Sequence, residues 1–273
     1  MERAILASLI IVCLLSATSA LIIKQANSSE TTYIDETYGG VDYDEAWFLV
    51  QTVDGGYALV GNTFSFGAGA SDFWLVKTDA SGNHEWNQTY GGPNDDYARS
   101  LMQTVDGGYV LVGYTSSFGA GSSDFWLVKT DVSGNHEWNY TYGGLDVEGA
   151  LSLVQTVDGG YALAGGTNPY GAFSSSDILF VKTDASGNHE WNKTYGGPNA
   201  DFARSVVQTV DGGYALAGYT RSFGAGDVDF WLVKTDEFGI IPEFPAWTLF
   251  LAVIVFTVTI IFYRRKLLKI TNH

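Results

Sequence analysis

An eight-residue phrase recurs four times in this chain, and only a fold that repeats with it is admissible. Its last copy reads Asp211-Gly212-Gly213-Tyr214-Ala215-Leu216-Ala217-Gly218, and the others occupy residues 54–61, 106–113 and 158–165. The copies start 52, 52 and 53 residues apart. A period near fifty marks an array of supersecondary units, each of which buries its apolar face only against its neighbours.

Local signals within one period predict four strands. In the second unit, residues 97–104 form a run of small, branched and apolar residues with strand character. Asp106-Gly107 predicts a tight hairpin, because both residue types tolerate positive φ. Residues 109–115 return as a second strand, and Phe118-Gly119-Ala120-Gly121 reads as a flexible loop. Phe125-Trp126-Leu127-Val128 is apolar on both faces, as in a strand buried between sheets. Residues 131–135 turn the chain with Gly134-Asn135. Trp138, Tyr140 and Tyr142 then alternate with Glu137, Asn139 and Thr141, the pattern of a half-exposed outer strand. Four antiparallel strands per period match a propeller blade in size and content. The composition agrees, since 33 Gly with 16 Tyr, 16 Phe and 8 Trp suit turns and strands better than helices.

The array spans residues 33–238. Tyr33-Ile34-Asp35-Glu36-Thr37-Tyr38 aligns with a fourth strand that lacks its first three, whereas residues 203–236 supply three strands and the pattern stops at Glu237-Phe238. The expected closure has the N-terminal strand complete the last sheet and cover its edge, giving an all-β, closed four-bladed β-propeller. The competing geometry joins two chains into a larger ring.

Both ends address a membrane. Met1-Glu2-Arg3, an apolar run over residues 4–15 and the small residues of 16–20 predict a signal peptide, 1–20, with an uncleaved anchor as the alternative. Residues 21–32 read as a linker. Residues 246–263 carry no charge and are long enough for a transmembrane helix, with Trp247 and Tyr263 near its two interfaces. Arg264, Arg265, Lys266 and Lys269 place the tail, 264–273, in the cytoplasm and the propeller outside the cell membrane. Cys13 is the one cysteine, so the expected mature chain has no disulfide. A net charge of −16, spread through the units, suits a solvated surface, and without a basic patch outside the tail nucleic acid is not an expected partner.

Candidate sites come from positions where the copies differ. Trp47, Arg99, Leu151 and Arg204 share one place on the first strand. Arg99, Arg204 and Trp47 are ligand-binding candidates, the two arginines for an anion, with ion pairs to Asp96 and Asp201 as the alternative. His84, His136 and His189 lack a second ligand at metal spacing and read as turn or edge residues. Asp72, Asp124, Asp177 and Asp229 follow Gly- or Ser-rich loops. Calcium is a weak candidate there, with one carboxylate per loop, and no other cofactor is expected. Asn27, Asn87, Asn139 and Asn192 open N-glycosylation sequons, with bare polar residues as the alternative.

Two resemblances rest on these residues. Asp-Gly-Gly-Tyr, Phe-Trp-Leu-Val-Lys-Thr-Asp and Ser-Gly-Asn-His-Glu-Trp-Asn resemble the extracellular Asp-Gly-Gly-Tyr repeats of bacterial and archaeal surface propellers, similar in appearance to quinoprotein-like propellers. Asp79, Gly82 and Trp86 look like the quinoprotein hairpin set, one residue shorter. Pro242-Glu243-Phe244 in the juncture 239–245 resembles archaeal C-terminal sorting signals. That likeness implies an archaeal source and exchange of the helix for a lipid by a sortase, the alternative being a proline-stiffened juncture. A fold does not supply a function. No nucleophile–base pair, metal cluster or unique acidic pair stands out. The expected function is therefore a membrane-anchored, non-enzymatic binding, adhesion or envelope module, with glycans or surface proteins as partners. A quinoprotein-like or carbohydrate-active enzyme with its site at the axis, and a purely structural envelope component, are the alternatives.

Overall fold

A computed structural model of the chain describes residues 34–167 and 176–242. The expected signal peptide, the linker, the transmembrane helix, the basic tail and Asn27 lie outside the described residues. Among those described, every regular element is a strand. β1 (Asp44–Gln51), β2 (Tyr57–Thr63), β3 (Asp72–Thr78) and β4 (His84–Tyr90) form the first antiparallel sheet, in chain order. β5 (Asp96–Gln103), β6 (Tyr109–Thr115), β7 (Asp124–Thr130) and β8 (His136–Tyr142) form the second. β9 (Glu148–Gln155), β10 (Tyr161–Thr167), β11 (Ile178–Thr183) and β12 (His189–Tyr195) form the third. β13 (Asp201–Gln208), β14 (Tyr214–Thr220) and β15 (Asp229–Thr235) form a fourth sheet of three strands. The repeat is thus a propeller-type array of four sheets.

The repeated phrase makes the hairpin between the first two strands of each sheet, though not as a two-residue turn. The Thr104 N–H donates to the Gly108 carbonyl and the Gly107 N–H to the Thr104 carbonyl, both at 2.9 Å. Val105 and Asp106 occupy the turn centre, and Gly107, at φ 84°, takes the left-handed position. Asp106 is therefore freed for other work. One oxygen accepts the Gly108 N–H and the Thr104 hydroxyl, and the other pairs with Lys129 at 3.0 Å. The Lys129 ammonium also meets Glu137 at 2.9 Å and the Thr130 carbonyl at 2.8 Å. Hydrogen bonds from Thr104 and then Lys129 hold the Asp106 carboxyl at about 2. The same triad recurs around Lys77 and Lys182, each buried. A buried ammonium needs such partners, so the repeated Asp, Lys and Glu form one polar clamp in each of the first three blades.

Blades stack through three apolar clusters. In the first, Ala58, Val60, Phe73, Leu75 and Tyr90 of one blade meet Ala98, Leu101, Tyr109, Leu111, Trp126 and Val128 of the next. Phe73 lies edge-on to Trp126, with ring centres 4.7 Å apart. The corresponding residues build the second and third clusters. The last tyrosine of each outer strand then ties on the next blade, Tyr90 to the Gly134 carbonyl and Tyr142 to the Gly187 carbonyl at 2.6 Å, and Tyr195 to the Gly239 carbonyl at 2.5 Å.

Among the described residues, the expected closure of the fourth sheet is not formed: β15 has no fourth strand beside it. Residues 34–40 enter no strand. The Tyr38 hydroxyl bonds the Gly82 carbonyl, and Ile34 lies against the same glycine. The segment takes, on the flank of the first sheet, the position that Tyr90, Tyr142 and Tyr195 take on later flanks. Only residues 39–43 tether it to β1, so it meets the fourth sheet only where that sheet comes to the same flank. No described core cluster joins the first sheet to the fourth. The C-terminal pattern also runs further than its residue types suggest. The Asp236 N–H donates to the Ile240 carbonyl at 2.8 Å and Gly239 adopts φ 71°, the turn that Asp79 and Gly82 make in the first sheet. A turn thus forms after β15 with no described strand after it, and Pro242 follows at once and removes a ladder donor.

Candidate functional site

In every blade the first strand carries a β-bulge, and the residue it throws out of register is one of the four divergent positions. The pairing skips Trp47 in β1, Arg99 in β5, Leu151 in β9 and Arg204 in β13. A bulge leaves one residue unpaired and re-aims its side chain, which is why such residues collect at functional surfaces. First strands of adjacent blades also pack against one another, so the bulges line the inner side of the array.

The structure brings Trp47 and Arg99 together and leaves Arg204 in a separate group. The Arg99 guanidinium lies over the Trp47 ring, 4.1 Å from its centre, with Tyr114 at 5.4 Å and Tyr97 at 5.7 Å. Its Nη2 donates to the Tyr114 hydroxyl at 2.9 Å. The aromatic surface continues from Tyr97 to Phe64 and from Phe64 to Tyr43, with ring centres 6.5 and 6.0 Å apart. Tyr43 is 61% and Trp47 48% exposed. Arg204 lies over Phe202 and Tyr219 of its own blade, at 5.6 and 5.9 Å. The alternative reading, an ion pair of Arg99 with Asp96, is not among the described ion pairs. Asp96 accepts instead from the Gly92 N–H and the Thr115 and Ser117 hydroxyls.

Tyr43, Phe64, Tyr97 and Tyr114 were not singled out in the sequence, although a signal was present. They too sit where the copies disagree: Tyr43 stands against Asp95, Val147 and Ala200, and Tyr114 against Asn62, Gly166 and Tyr219.

The carboxylates at the strand entrances meet in pairs at the blade junctions. A β-carbon on Gly91 would lie 1.7 Å from Asp72 Oδ1 and 2.9 Å from Asp96 Oδ2, so the two oxygens stand less than about 5 Å apart. Asp124 with Glu148 around Gly143, and Asp177 with Asp201 around Gly196, repeat the arrangement. Asp72 Oδ2 accepts the Ala68 and Gly69 amides, whereas its Oδ1 has no hydrogen-bond partner, as is true of Asp177 Oδ1 and Asp201 Oδ1. Burial, then the neighbouring acid, pushes the Asp72, Asp177 and Glu148 carboxyls up. Asp229 bonds the Gly226 amide and has no such neighbour on the described fourth sheet. A junction offers two carboxylates to a calcium ion, and no described group of three or more ligating side chains gathers anywhere.

His84, His136 and His189 each sit one to a blade, the ring Nε2 meeting the side-chain amide of Asn87, Asn139 or Asn192 at 2.9, 2.8 and 3.1 Å. All three asparagines are exposed. The Trp74 and Trp126 indoles also donate to Oδ1 of Asn87 and Asn139 at 3.1 Å, so two of the three sequon side chains are held at both amide atoms.

No family model matches the chain, and no characterised protein matches it in sequence. Solved structures do resemble it. One is a protein of unknown function from Bacteroides caccae, at 12% identity and a TM-score of 0.34, covering 75% of this chain and 82% of that one. Another is a bifunctional GH43-CE protein from Bacteroides eggerthii, at 18% identity and a TM-score of 0.38. That match covers 77% of this chain and 27% of the other.

Proposed function

We propose that this chain is a membrane-anchored, extracellular binding module whose ligand surface is the aromatic–arginine patch at the first blade junction, and that its ligand is a carbohydrate. The observation that carries the reading is the stack of Arg99 on exposed Trp47, continued by Tyr97, Phe64 and Tyr43. Flat, accessible rings offer apolar faces to the C–H faces of sugars, and a guanidinium fork supplies fixed donors to their hydroxyls. Aromatic residues and arginine also carry most of the affinity wherever a surface binds by a few anchors. Neither the arginine nor the rings form a nucleophile–base pair, so the patch holds a ligand without acting on it.

The test is a glycan array on the full chain in detergent, followed by titration of any hit. The expected result is a sugar-specific signal without turnover that falls at least tenfold in Trp47→Ala and Tyr43→Ala. An empty array, binding unchanged in both variants, or cleavage of the bound sugar overturns the proposal. Capture of a surface protein by the patch in place of a glycan overturns the ligand class.

A further inference from the structure

Three blade junctions use one interface, and its two halves are left over at the ends of the array. The leading half, in the first blade, is Ala58, Val60, Phe73 and Leu75, all buried under the second blade. Its counterpart in the fourth blade is Ala215, Ala217, Phe230 and Leu232. There Phe230 is 102% and Leu232 70% exposed, while Phe73, Phe125, Leu75 and Leu127 are each 0%. An open depression of about 690 Å³ runs across this face, between Arg204, Tyr219 and Phe230. The receiving half is Ala98, Leu101, Tyr109 and Leu111 in the second blade. In the first blade it is Ala46, Leu49, Tyr57 and Leu59, none of them buried, with Leu49 58% exposed.

We infer that the bare face of the fourth blade docks the first blade of a second copy of this chain, and that two copies close head to tail into one eight-bladed ring. The occupant follows from the repeat: the surface that covers Phe73, Phe125 and Ile178 inside the chain exists once more, uncovered, on the first blade. The unpaired strand edges match as well. Among the described residues β15 has no outer neighbour, while Tyr38 already sits on the first blade's Gly82, in the place that the last tyrosine of an outer strand takes on later blades. Docking lays the second copy's residues 34–38 along β15 and completes that blade between chains. It also sets Arg204 beside the second copy's Trp47, the Arg99–Trp47 stack with cation and ring exchanged. A head-to-tail contact must either close or polymerise. Two copies give eight blades, within the usual range of about four to eight, and three would exceed it.

The experiment measures the protein mass of the full chain in detergent by light scattering across micromolar concentrations. Phe230→Asp breaks the leading half and Leu49→Asp the receiving half. Both positions are exposed in the single chain, and circular dichroism checks that each variant keeps its strands. Leu232→Asp is a second probe of the leading half. The expected result is a twofold chain mass for the unmodified protein and a single mass for each variant alone. An equimolar mixture of Phe230→Asp and Leu49→Asp returns to the twofold mass, more weakly, because one intact interface remains. A single mass for the unmodified chain overturns the inference, including the case in which another part of the same chain covers Phe230. A Leu49→Asp variant that stays dimeric, or a mixture that fails to recombine, overturns head-to-tail pairing. Masses above twofold overturn the closed ring.

Discussion

The second and fourth blades carry nearly the same residues in different surroundings. Phe125 and Leu127 are buried under the third blade, while Phe230 and Leu232 face outward with nothing described against them. Lys129 is enclosed by Asp106 and Glu137, whereas Lys234 keeps Asp211 at 2.9 Å, meets no described second acid, and has 40% of its side chain exposed. The comparison teaches that in a stacked repeat a strand's burial belongs to its neighbour as much as to itself. The same Phe-Trp-Leu-Val run is core in one blade and an unsatisfied apolar surface in another.

The sharpest way to break that comparison is to truncate the paired phenylalanines. Phe125→Ala removes a fully buried ring and is expected to cost about 3–5 kcal/mol. Phe230→Ala is expected to cost under about 0.5 kcal/mol in the single chain, as for a surface residue. Urea unfolding at low protein concentration reads both, and equal losses would mean that Phe230 is covered in the monomer.

A smaller effect separates the clamps by pH. Asp106 and Asp158 are held at about 2, Asp106 chiefly by its Thr104 hydrogen bond. At Asp158 burial pushes upward and is outweighed by Thr156 and Lys182. Both folded values lie below the ordinary carboxylate value. Their stabilisation is therefore present above about pH 4 and lost as the pH falls toward 2. Asp72, Asp177 and Glu148 have the opposite sign: raised in the fold, they favour it while protonated, and that advantage is lost as the pH rises through their folded values. Urea midpoints against pH are expected to rise on mild acidification and then fall below pH 4. Asp72→Asn with Asp177→Asn is expected to flatten the upper limb and leave the acid limb in place. An unchanged upper limb would show that the junction acids are not coupled.

The smallest effect tests the hydroxyl ties. Tyr142→Phe deletes a buried bond to the Gly187 carbonyl and is expected to cost about 1 kcal/mol. Tyr38→Phe is expected to cost less, because its segment lies on an end of the array and not between two blades. Thermal melts compare the two, and a larger loss at Tyr38 would place it in an interface.

Much of this was legible beforehand. The strands, their order and the outer position of Trp138 and Tyr142 followed from alternation and turn residues, which act within a few positions. The bulge residues Trp47, Arg99, Leu151 and Arg204 were found because the copies disagree there. The lysine clamps were not foreseen, although their Asp, Lys and Glu recur at nearly constant offsets in three copies, because a lysine's burial depends on what packs above it. The turn at Asp236–Ile240 is hard to read in the sequence because Glu237 and Phe238 replace the small residues of the other copies, yet Gly239 alone supplies the left-handed position the turn requires.

The sequence by itself determined the repeat, the four-stranded unit and the expectation of a membrane at both ends. These depend on period, alternation and apolar length, which are properties of the chain alone. Only the tertiary structure decided that residues 34–38 lie on the first blade instead of completing the fourth. It alone assembled Tyr43, Phe64, Tyr97, Arg99 and Trp47 into one surface. Which faces meet is settled by how whole sheets stack, and identical strands carry no mark of whether a neighbour will arrive.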